Sequence, residues 1–534
     1  MPAFLKHHKE VIILLILILF LNVSWIAMDG VPPYWDEAGH TTGAVDFAYF
    51  LSQLSHGTVS LETLMNFLRS PYFPLGKMIG GFMMFLTYPS IEMGQYAGTV
   101  FYLASILVQY LLIYKLTHSK RASLLGAMLV GFSPDLINRS RDLSLDISVL
   151  LFYSISFYYY VTSDWLTKKK QSALFFIFVS LTLLSKIQAA MYFVPMVIYE
   201  GYILLKHRLP KTQLFNIGIG IFIGILLVLP IVIYNLPYLQ IYFDISHRTN
   251  FGSPGDFDDP FTWYYYLLML PIGFFLPVYL PLLVGGIWYF FKSKIPHTGF
   301  YALQILGIYL VMTLLANKGI RFIYPIITPL IVVMSWGLHN LLKNHARLYT
   351  SALIYIFIFG LMGILVMSLR VFPQFGFIYI FNQNIVRQYR SYDDTPIHNL
   401  VKDMDLVVSP KSQSVLLVPN SPDLNINVVN LFLRLENNFV TSTSSFDAKR
   451  LVDHYFNNGP FDVEEELNTY RYIVYSDRPV DTPWIYESEK FPRIEKELMA
   501  LIKKNEKNGT FKLINVYPLS SGEQLFFVQN LNNR

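Results

Sequence analysis

The sequence contains no cysteine among its 534 residues, which excludes disulfides, thiolate nucleophiles and thiolate metal sites. Charged residues are also scarce, at 14% of the chain, whereas soluble domains carry about 25%. Hydrophobic residues reach 53%, aromatic residues 16%, and the mean hydropathy is +0.41. This composition is typical of a polytopic membrane protein. Neither a lysine-rich tail nor a basic–aromatic alternation indicates a nucleic-acid partner.

Long apolar runs predict membrane helices, because a span needs about 20 apolar residues. The first run follows the basic segment KHHK and is not followed by a small-residue cleavage site, so we expect a retained first span rather than a signal peptide. The runs lie near residues 11–29, 74–91, 96–114, 122–136, 145–162, 172–184, 187–205, 213–234, 271–291, 298–316, 322–342 and 348–369.

Short loops rich in Lys and Arg indicate the cytoplasmic side of the membrane. All of these loops lie on the same side of the membrane as the N-terminal KHHK only if one of the early apolar runs does not cross the membrane. The run FPLGKMIGGFMMFLTYPS (73–90) contains Lys77 and three glycines, so we expect an interfacial or re-entrant helix there. The prediction is eleven spans in the inner (plasma) membrane, with a cytoplasmic N-terminus. The basic loops are KLTHSKR (115–121), LTKKK (166–170), KHRLPK (206–211), KSK (292–294) and KNHAR (343–347).

The sequence changes character beyond Arg370. We expect a transmembrane domain over 1–370, a linker over 371–389 and a soluble extracytoplasmic α/β domain over 390–534. The segment FPRIEKELMALIKKNEKNG (491–509) predicts an amphipathic helix, and residues 235–270 predict an outer loop whose second half is interfacial. Strands are predicted at DLVVSP, SVLLVP, RYIVYSD, FKLINVYPL and QLFFVQN.

Ionisable groups stand at the predicted outer ends of several spans, where the positive-inside rule disfavours cations. Such groups are costly at membrane depth unless they pair or face a wet cavity, so each one is a functional hypothesis. They are Asp36, Glu37, Lys77, Arg139, Arg141, Asp142, Asp146, Lys186, Arg248, Lys318 and Arg321.

Together these groups predict an outward-facing pocket with carboxylates on one side and cations on another. Clustered cations suit a phosphate or diphosphate ester, which they neutralise and orient. A carboxylate beside them suits a general base that deprotonates an incoming hydroxyl or amine. A phosphorylated leaving group at a lipid surface indicates a polyprenyl-phosphate-linked sugar, whose isoprenoid tail would occupy grooves within the membrane.

The acidic residues and the neighbouring histidine also have structural interpretations. Asp36 and Glu37 could be a solvated helix N-terminus, where the helix dipole favours acids. Asp146 lies in an apolar helix and could form a structural pair with an arginine. His40 has no second histidine at metal-ligand spacing, which favours a structural role over metal ligation.

The cations have structural interpretations as well. Arg139 and Arg141 could anchor lipid headgroups. Lys186 and Lys318 could extend to the headgroup layer with their stems in lipid, although no residue close in sequence pairs with either of them.

Five motifs resemble those of family 39-type glycosyltransferases, a group with the GT-C fold that includes protein O-mannosyltransferases and the lipid A aminoarabinose transferase. They occur in the family's order along about residues 10–345. The resemblance implies a polytopic α-helical membrane protein of GT-C type, with about 11 transmembrane helices and outer-face interfacial helices. The motifs are YWDEAGH, YFPLGKMIGG, RSRDLSLDISVLLF, LLSKIQAA and NKGIRFIYPIITPL.

The resemblance implies roles for individual residues in an inverting glycosyl transfer. Asp36 would be the base and Glu37 a supporting acid. The implied donor-phosphate contacts are Lys77, Arg141, Lys186, Lys318 and Arg321. The implied pocket or acceptor residues are Arg139, Asp142, Asp146, His40, Tyr324 and Arg248.

The sequence departs from the family pattern at Tyr72-Phe73, where the family often has an acid or a histidine. Asp142 is a candidate replacement for that carboxylate. Domains typical of eukaryotic protein mannosyltransferases have no counterpart in the sequence, which favours a bacterial enzyme. We expect no obligatory metal, with a divalent cation as the alternative, because a phosphate leaving group needs less metal assistance than an alkoxide.

Two other classes of protein are compatible with the composition. A transporter or flippase of a lipid-linked sugar would show inverted repeats or discontinuous helices in matching halves, and the sequence shows neither. A receptor would use its helices only as an anchor and would not need so many ionisable groups at the ends of spans. The acceptor could be a lipid, a glycan or a protein.

Overall fold

The computed structural model describes residues 7–58, 68, 73–206, 210–248, 260–293, 295–315, 318–369, 371, 393–408, 414–418, 425–436, 442–444, 462–477, 500–519 and 522–532. The apolar runs form helices because an unpaired backbone group in lipid is costly and a helix pairs its own. In the first 371 residues the helices are α1 (Lys9–Met28), α2 (Trp35–Ser55), α3 (Leu75–Leu86), α4 (Ile91–Thr117), α5 (Lys120–Gly131), α6 (Pro134–Arg139), α7 (Leu145–Thr162), α8 (Lys169–Ser185), α9 (Ala190–Lys206), α10 (Lys211–Arg248), α11 (Pro260–Gly273), α12 (Leu280–Lys292), α13 (Thr298–Thr313), α14 (Ile327–Leu342) and α15 (Ala346–Met367).

Among the described residues, seven helical segments are long and apolar enough to cross a membrane, or eight if the bent pair α11–α12 is one span. Each of the eleven predicted spans is helical over most of its length. The helices α5, α8 and α13 have only 12, 17 and 16 residues, so the count of eleven stays a prediction. The predicted segment 73–90 contains the helix α3, and its interfacial or re-entrant position stays a prediction.

One prediction about the middle of the chain was wrong, and one predicted span is bent. Residues 235–248, predicted as loop, continue α10 through Pro237, because apolar residues flank this proline on both sides. The predicted span 271–291 begins in α11 and continues in α12, with a bend of 93° between Pro260–Gly273 and Pro277–Lys292, since prolines flank the break. The side chain of Arg248, a predicted pocket residue, lies outside the described residues.

The C-terminal region, which we define as the described residues between 393 and 532, contains a five-stranded sheet of order β2-β1-β3-β5-β4. Strand β1 pairs in parallel with β2 and β3, and β5 pairs antiparallel with β3 and β4. The elements are α16 (Thr395–Val407), β1 (Ser414–Leu417), α17 (Ile426–Leu435), β2 (Ser442–Ser444), α18 (Val463–Asn468), β3 (Tyr472–Ser476), β4 (Phe511–Pro518) and β5 (Gln524–Asn530).

Four of the five predicted strands are present in this sheet, whereas DLVVSP was wrong. Its residues 405–407 end α16, because Ile397, Leu400, Val401 and Met404 are buried along one helical face. Residues 500–507 are helical, within the predicted amphipathic segment, and the earlier part of that segment lies outside the described residues. The predicted linker 371–389 also lies outside them, apart from Val371.

The membrane helices pack around a polar contact as well as an apolar core. Gln109 of α4 donates to Ser154 of α7 at 2.9 Å and to Thr328 of α14 at 2.8 Å. Such buried hydrogen bonds join three helices in the interior of the bundle. Near one end of this bundle, α3 packs against α2, and α17 of the C-terminal region packs against another part of α2. The helix that carries the acidic pair is therefore held between the membrane helices and the C-terminal region.

Candidate active site

The acidic pair stands in the first turn of α2. Tyr34 is extended and Trp35 has a positive φ of 31°, so the chain turns sharply at the first residue of the helix. Asp36 and Glu37 then lie where the helix dipole favours negative charge. The side chain of Asp36 is 29% exposed, whereas that of Glu37 is only 4% exposed. The helix dipole therefore helps to stabilise the two carboxylates at this position, but the buried Glu37 also requires a charged partner.

Arg321 connects three carboxylates. It lies in the 3₁₀ segment Ile320–Ile326, directly before α14. Its Nη2 is 2.7 Å from Asp36 Oδ2, its Nη1 is 3.8 Å from Glu37 Oε1, and its Nε is 3.8 Å from Asp146 Oδ2. A planar guanidinium presents donors in several directions, which suits such a bridge. The structure thus joins the first and the last of the predicted motifs.

Two further ion pairs complete what we call the ion-pair network, formed by Asp36, Glu37, Arg139, Asp146, Lys186 and Arg321. Lys186 Nζ is 2.7 Å from Asp146 Oδ1, and Arg139 Nη1 is 2.6 Å from Glu37 Oε1. The ring of Phe322 lies 4.7 Å from Lys186 Nζ and 5.3 Å from the Arg321 guanidinium carbon. The ring face attracts each of these cations and helps to hold them near each other.

The pKa values on α2 and α3 follow from burial and charge. Burial alone would raise the pKa of Asp36, but the Arg321 guanidinium outweighs it and holds that pKa below the usual range. Burial lowers the pKa of His40 to about 3, and the charge of Lys77 adds to this effect. Burial also lowers the pKa of Lys77 to about 8. At neutral pH, Asp36 is therefore ionised, His40 is neutral and Lys77 is mostly charged.

Lys77 and Lys318 lie beside the ion-pair network but are held differently. The stem of Lys77 crosses α2 at Gly43, where an added Cβ would lie 2.7 Å from Lys77 Cδ. Lys318 is 3% exposed, and its Nζ donates to the Leu315 carbonyl at 2.8 Å. Both cations are buried close to the network residues: the charge of Lys77 interacts with that of Asp36, and Lys318 precedes Arg321 by three positions.

Asp135 was not among the residues predicted from the sequence, but the structure places it beside the ion-pair network. The hydroxyl of Tyr324 donates to Asp135 Oδ2 at 2.7 Å. Asp135 is buried, and its carboxylate interacts with the charge of the nearby Arg139. In the sequence, Asp135 follows Ser133-Pro134, which is the usual pattern of a helix start. Because a helix start already explains an acid at this position, the sequence gives no sign of the contact between Asp135 and Tyr324, a predicted pocket residue 189 positions away.

Two predicted site residues lie apart from the network. Arg141 is fully buried, with its guanidinium 4.7 Å from the Trp25 ring centroid and its Nε donating to Asn22 Oδ1 at 3.2 Å. This position connects Arg141 to α1 in the protein interior. Asp142 is also buried, and its backbone carbonyl packs against Gly98 of α4. Among the described residues, no three His, Asp or Glu side chains are grouped so that they could hold a metal ion.

Comparison with known proteins identifies the class. Residues 72–245 match the family model described as dolichyl-phosphate-mannose-protein mannosyltransferase. The match includes Lys77, Arg139, Asp146 and Lys186. A search of curated proteins finds no match.

Solved structures with the same fold include ArnT from Cupriavidus metallidurans, in the apo state and bound to undecaprenyl phosphate. The bound form is 11% identical, covers 97% of this chain and 98% of its own, and gives a TM-score of 0.60. The apo form is 10% identical, with 98% of both chains covered and the same TM-score of 0.60. The Archaeoglobus fulgidus oligosaccharyltransferase, in a complex with Zn and sulfate, is 11% identical, covers 86% of this chain and 67% of its own, and gives 0.52.

These comparisons confirm the resemblance found in the motifs. The protein is an integral-membrane glycosyltransferase with the GT-C fold. It carries the protein-mannosyltransferase family signature over residues 72–245 and an ArnT-like architecture over nearly its whole length. The transporter interpretation is not favoured.

Proposed function

We propose that the protein transfers a sugar from a polyprenyl-phosphate donor to an acceptor hydroxyl or amine, with Asp36 as the general base. The observation that carries this proposal is the 2.7 Å contact between Asp36 and Arg321. It puts a partly exposed carboxylate next to the cations Arg321 and Lys186, on a fold shared with ArnT, which was solved bound to undecaprenyl phosphate. We place the reaction at the extracytoplasmic face of the inner (plasma) membrane, following the distribution of Lys and Arg among the loops.

The donor would bind with its phosphate among Arg321, Lys186, Lys77 and Lys318. A small apolar cluster supports this placement of the donor. It is formed by Phe73, Val228 and Leu239, with Leu183, Leu184, Ile187, Ile231 and Val232 packed against it. Phe73 precedes α3, which carries Lys77, and Ile187 follows Lys186 directly. An isoprenoid tail in this cluster would therefore bring its phosphate to the cations.

The chemistry follows from these positions. The acceptor oxygen or nitrogen forms a bond to the anomeric carbon while the bond from that carbon to the phosphate oxygen breaks, with inversion. The acceptor proton passes to a carboxylate oxygen of Asp36. The electron pair of the broken bond stays on the departing polyprenyl phosphate, whose added negative charge the cations stabilise. We propose that no divalent cation is obligatory, because these fixed cations already supply charge at the leaving group.

The test uses the purified full-length protein, radiolabelled polyprenyl-phosphate sugars and membrane extract as the source of acceptor. We expect Asp36→Asn to lower transfer by at least about 100-fold, which is the usual contribution of a general base. Asp29→Asn is the matched control, because Asp29 follows α1 and is only partly buried, and it should keep wild-type activity. Transfer by Asp36→Asn at the wild-type rate would overturn the assignment.

Three further measurements test the rest of the proposal. Lys318→Ala combined with Arg321→Ala should abolish donor binding, and retained binding would count against the phosphate site. A topology reporter fused after residue 370 should be found outside the cytoplasm. Transfer in the presence of excess EDTA should match the untreated rate, and its loss would establish a need for a divalent cation.

A further inference from the structure

The C-terminal region contacts the helix that carries Asp36 through α17. At the start of α17, the side-chain amide of Asn427 donates to the backbone carbonyl of Trp35 at 3.0 Å. Near its other end, Arg434 Nε lies 3.1 Å from Asp46 Oδ1. Because Trp35 begins α2 and Asp46 lies three turns further on, these two contacts align α17 along α2.

The position of Asn427 is fixed by its own helix. The side-chain oxygen of Asn425 accepts hydrogen bonds from the backbone N–H groups of Asn427 at 2.9 Å and Val428 at 3.2 Å, which caps the start of α17. Val428, Val429 and Phe432 are fully buried, so the helix is held by its apolar face. Asn427 therefore presents its amide from a rigid support.

The carbonyl that Asn427 contacts belongs to a strained peptide. Trp35 has a φ of 31°, and bulky residues rarely adopt positive φ values. Such a conformation persists only where the surrounding structure holds it, and it occurs often at functional sites. Asp36 follows Trp35 directly, so a change in the Trp35 peptide rotates the carboxylate that faces Arg321.

We infer that Asn427 is a positioning residue for glycosyl transfer. Its hydrogen bond to the Trp35 carbonyl holds the sharp turn at the start of α2 and thereby fixes the direction of the Asp36 carboxylate. The C-terminal region then contributes to the active site although it lies far from Asp36 in sequence. This inference rests on the proposed role of Asp36 as the base.

The kinetic test compares Asn427→Ala and Asn427→Asp with wild type in the full-length protein. Asn427→Asp keeps the side-chain volume but loses the N–H donor, so it remains informative if the alanine variant does not fold. We expect kcat to fall by about 10- to 100-fold, the scale of a small misplacement of a reacting group. The KM for the polyprenyl-phosphate sugar should stay within about twofold. Asn508→Ala, at an exposed position of the C-terminal region, should leave both constants unchanged.

Combination with Asp36→Asn separates positioning from a general loss of structure. If Asn427 acts through Asp36, the double variant Asp36→Asn/Asn427→Ala should be no slower than Asp36→Asn alone. A further fall in the double variant, or a wild-type kcat in both single Asn427 variants, would overturn the inference. If Asp36→Asn itself keeps the wild-type rate, the proposed function fails, and that result is visible before any Asn427 variant is made.

A disulfide test of the contact does not depend on activity. An added Cβ at Gly39 would lie 3.5 Å from Asn427 Cγ, and the chain contains no cysteine that could compete. Gly39→Cys with Asn427→Cys should therefore form an intramolecular disulfide on mild oxidation, detected by mass spectrometry. Gly39→Cys with Asn508→Cys is the control and should stay reduced. Failure of the first pair to oxidise would remove the contact and the inference with it.

Discussion

Arg321 and Asp36 form an ion pair at 2.7 Å, although 285 positions separate them in the chain. The predicted base and a predicted phosphate-binding cation are therefore joined to each other in the free protein. A donor phosphate and the Asp36 carboxylate would compete for the same guanidinium. Binding of the donor would weaken the hold of Arg321 on Asp36 and make that carboxylate a stronger base, so we expect donor binding to precede deprotonation of the acceptor.

The competition predicts an unusual effect of Asp36→Asn on donor affinity. Removing the carboxylate charge releases Arg321 for the phosphate, so polyprenyl phosphate should bind about 3- to 10-fold more tightly, which corresponds to about 1 kcal/mol. Titration calorimetry on the purified protein checks this, with Asp29→Asn as the control. Unchanged or weaker binding by Asp36→Asn would show that the carboxylate and the phosphate do not share Arg321.

The sequence predicted the helices and the layer of charged residues because both depend on local patterns. Hydropathy identifies a span from the residues of that span alone. A cation at the outer end of a span is likewise recognised in the sequence without knowledge of the residue that pairs with it. Which cation meets which carboxylate depends on tertiary packing. Arg139 and Arg141 stand two positions apart, yet Arg139 pairs with Glu37 at 2.6 Å while Arg141 packs against Trp25. Helix α6 ends between them, and the turn that follows directs the two side chains differently.

Tertiary contacts also determine two features that were not predicted from the sequence, the contact of Asn427 and the helical state of residues 405–407. Asn427 has no feature that distinguishes it from other asparagines of a polar domain, and its role follows only from its contact with Trp35. The helical state of residues 405–407 depended on burial of one face of α16, which the β-branched residues of DLVVSP concealed.

Lys77 predicts a pH dependence of donor binding. Because burial lowers its pKa to about 8, Lys77 is charged below that pH and becomes neutral above it. If its charge contacts the donor phosphate, the donor KM should rise by about fivefold between pH 7 and pH 9, a loss of roughly 1 kcal/mol. Lys77→Arg stays charged over this range, so its donor KM should remain flat. Parallel profiles for the two proteins would exclude Lys77 from the phosphate site.

A substitution of Arg141 is expected to lower stability without changing donor binding. Its guanidinium is fully buried against Trp25 and donates to Asn22, so Arg141→Ala leaves a cavity and a buried acceptor without that donor. We expect a loss of about 2–4 kcal/mol in stability, seen as a lower melting temperature in detergent. The donor KM of the folded fraction should stay within about twofold. A large rise in donor KM with unchanged melting would restore Arg141 as a phosphate contact.

The substitution Gly43→Ala is expected to change the donor KM without changing stability. A Cβ at this position would lie 2.7 Å from Lys77 Cδ, which is too close, so the Lys77 side chain rather than the backbone of α2 has to shift. Gly43→Ala should therefore keep the melting temperature while displacing the Lys77 ammonium, and the donor KM should rise by about fivefold, as for loss of one charge contact. Gly224→Ala is the matched control, because its Cβ would meet only Ser180 Oγ at 3.7 Å. If the rise acts through Lys77, Gly43→Ala should add nothing further in a Lys77→Ala background, and an additional rise there would assign the effect to another group.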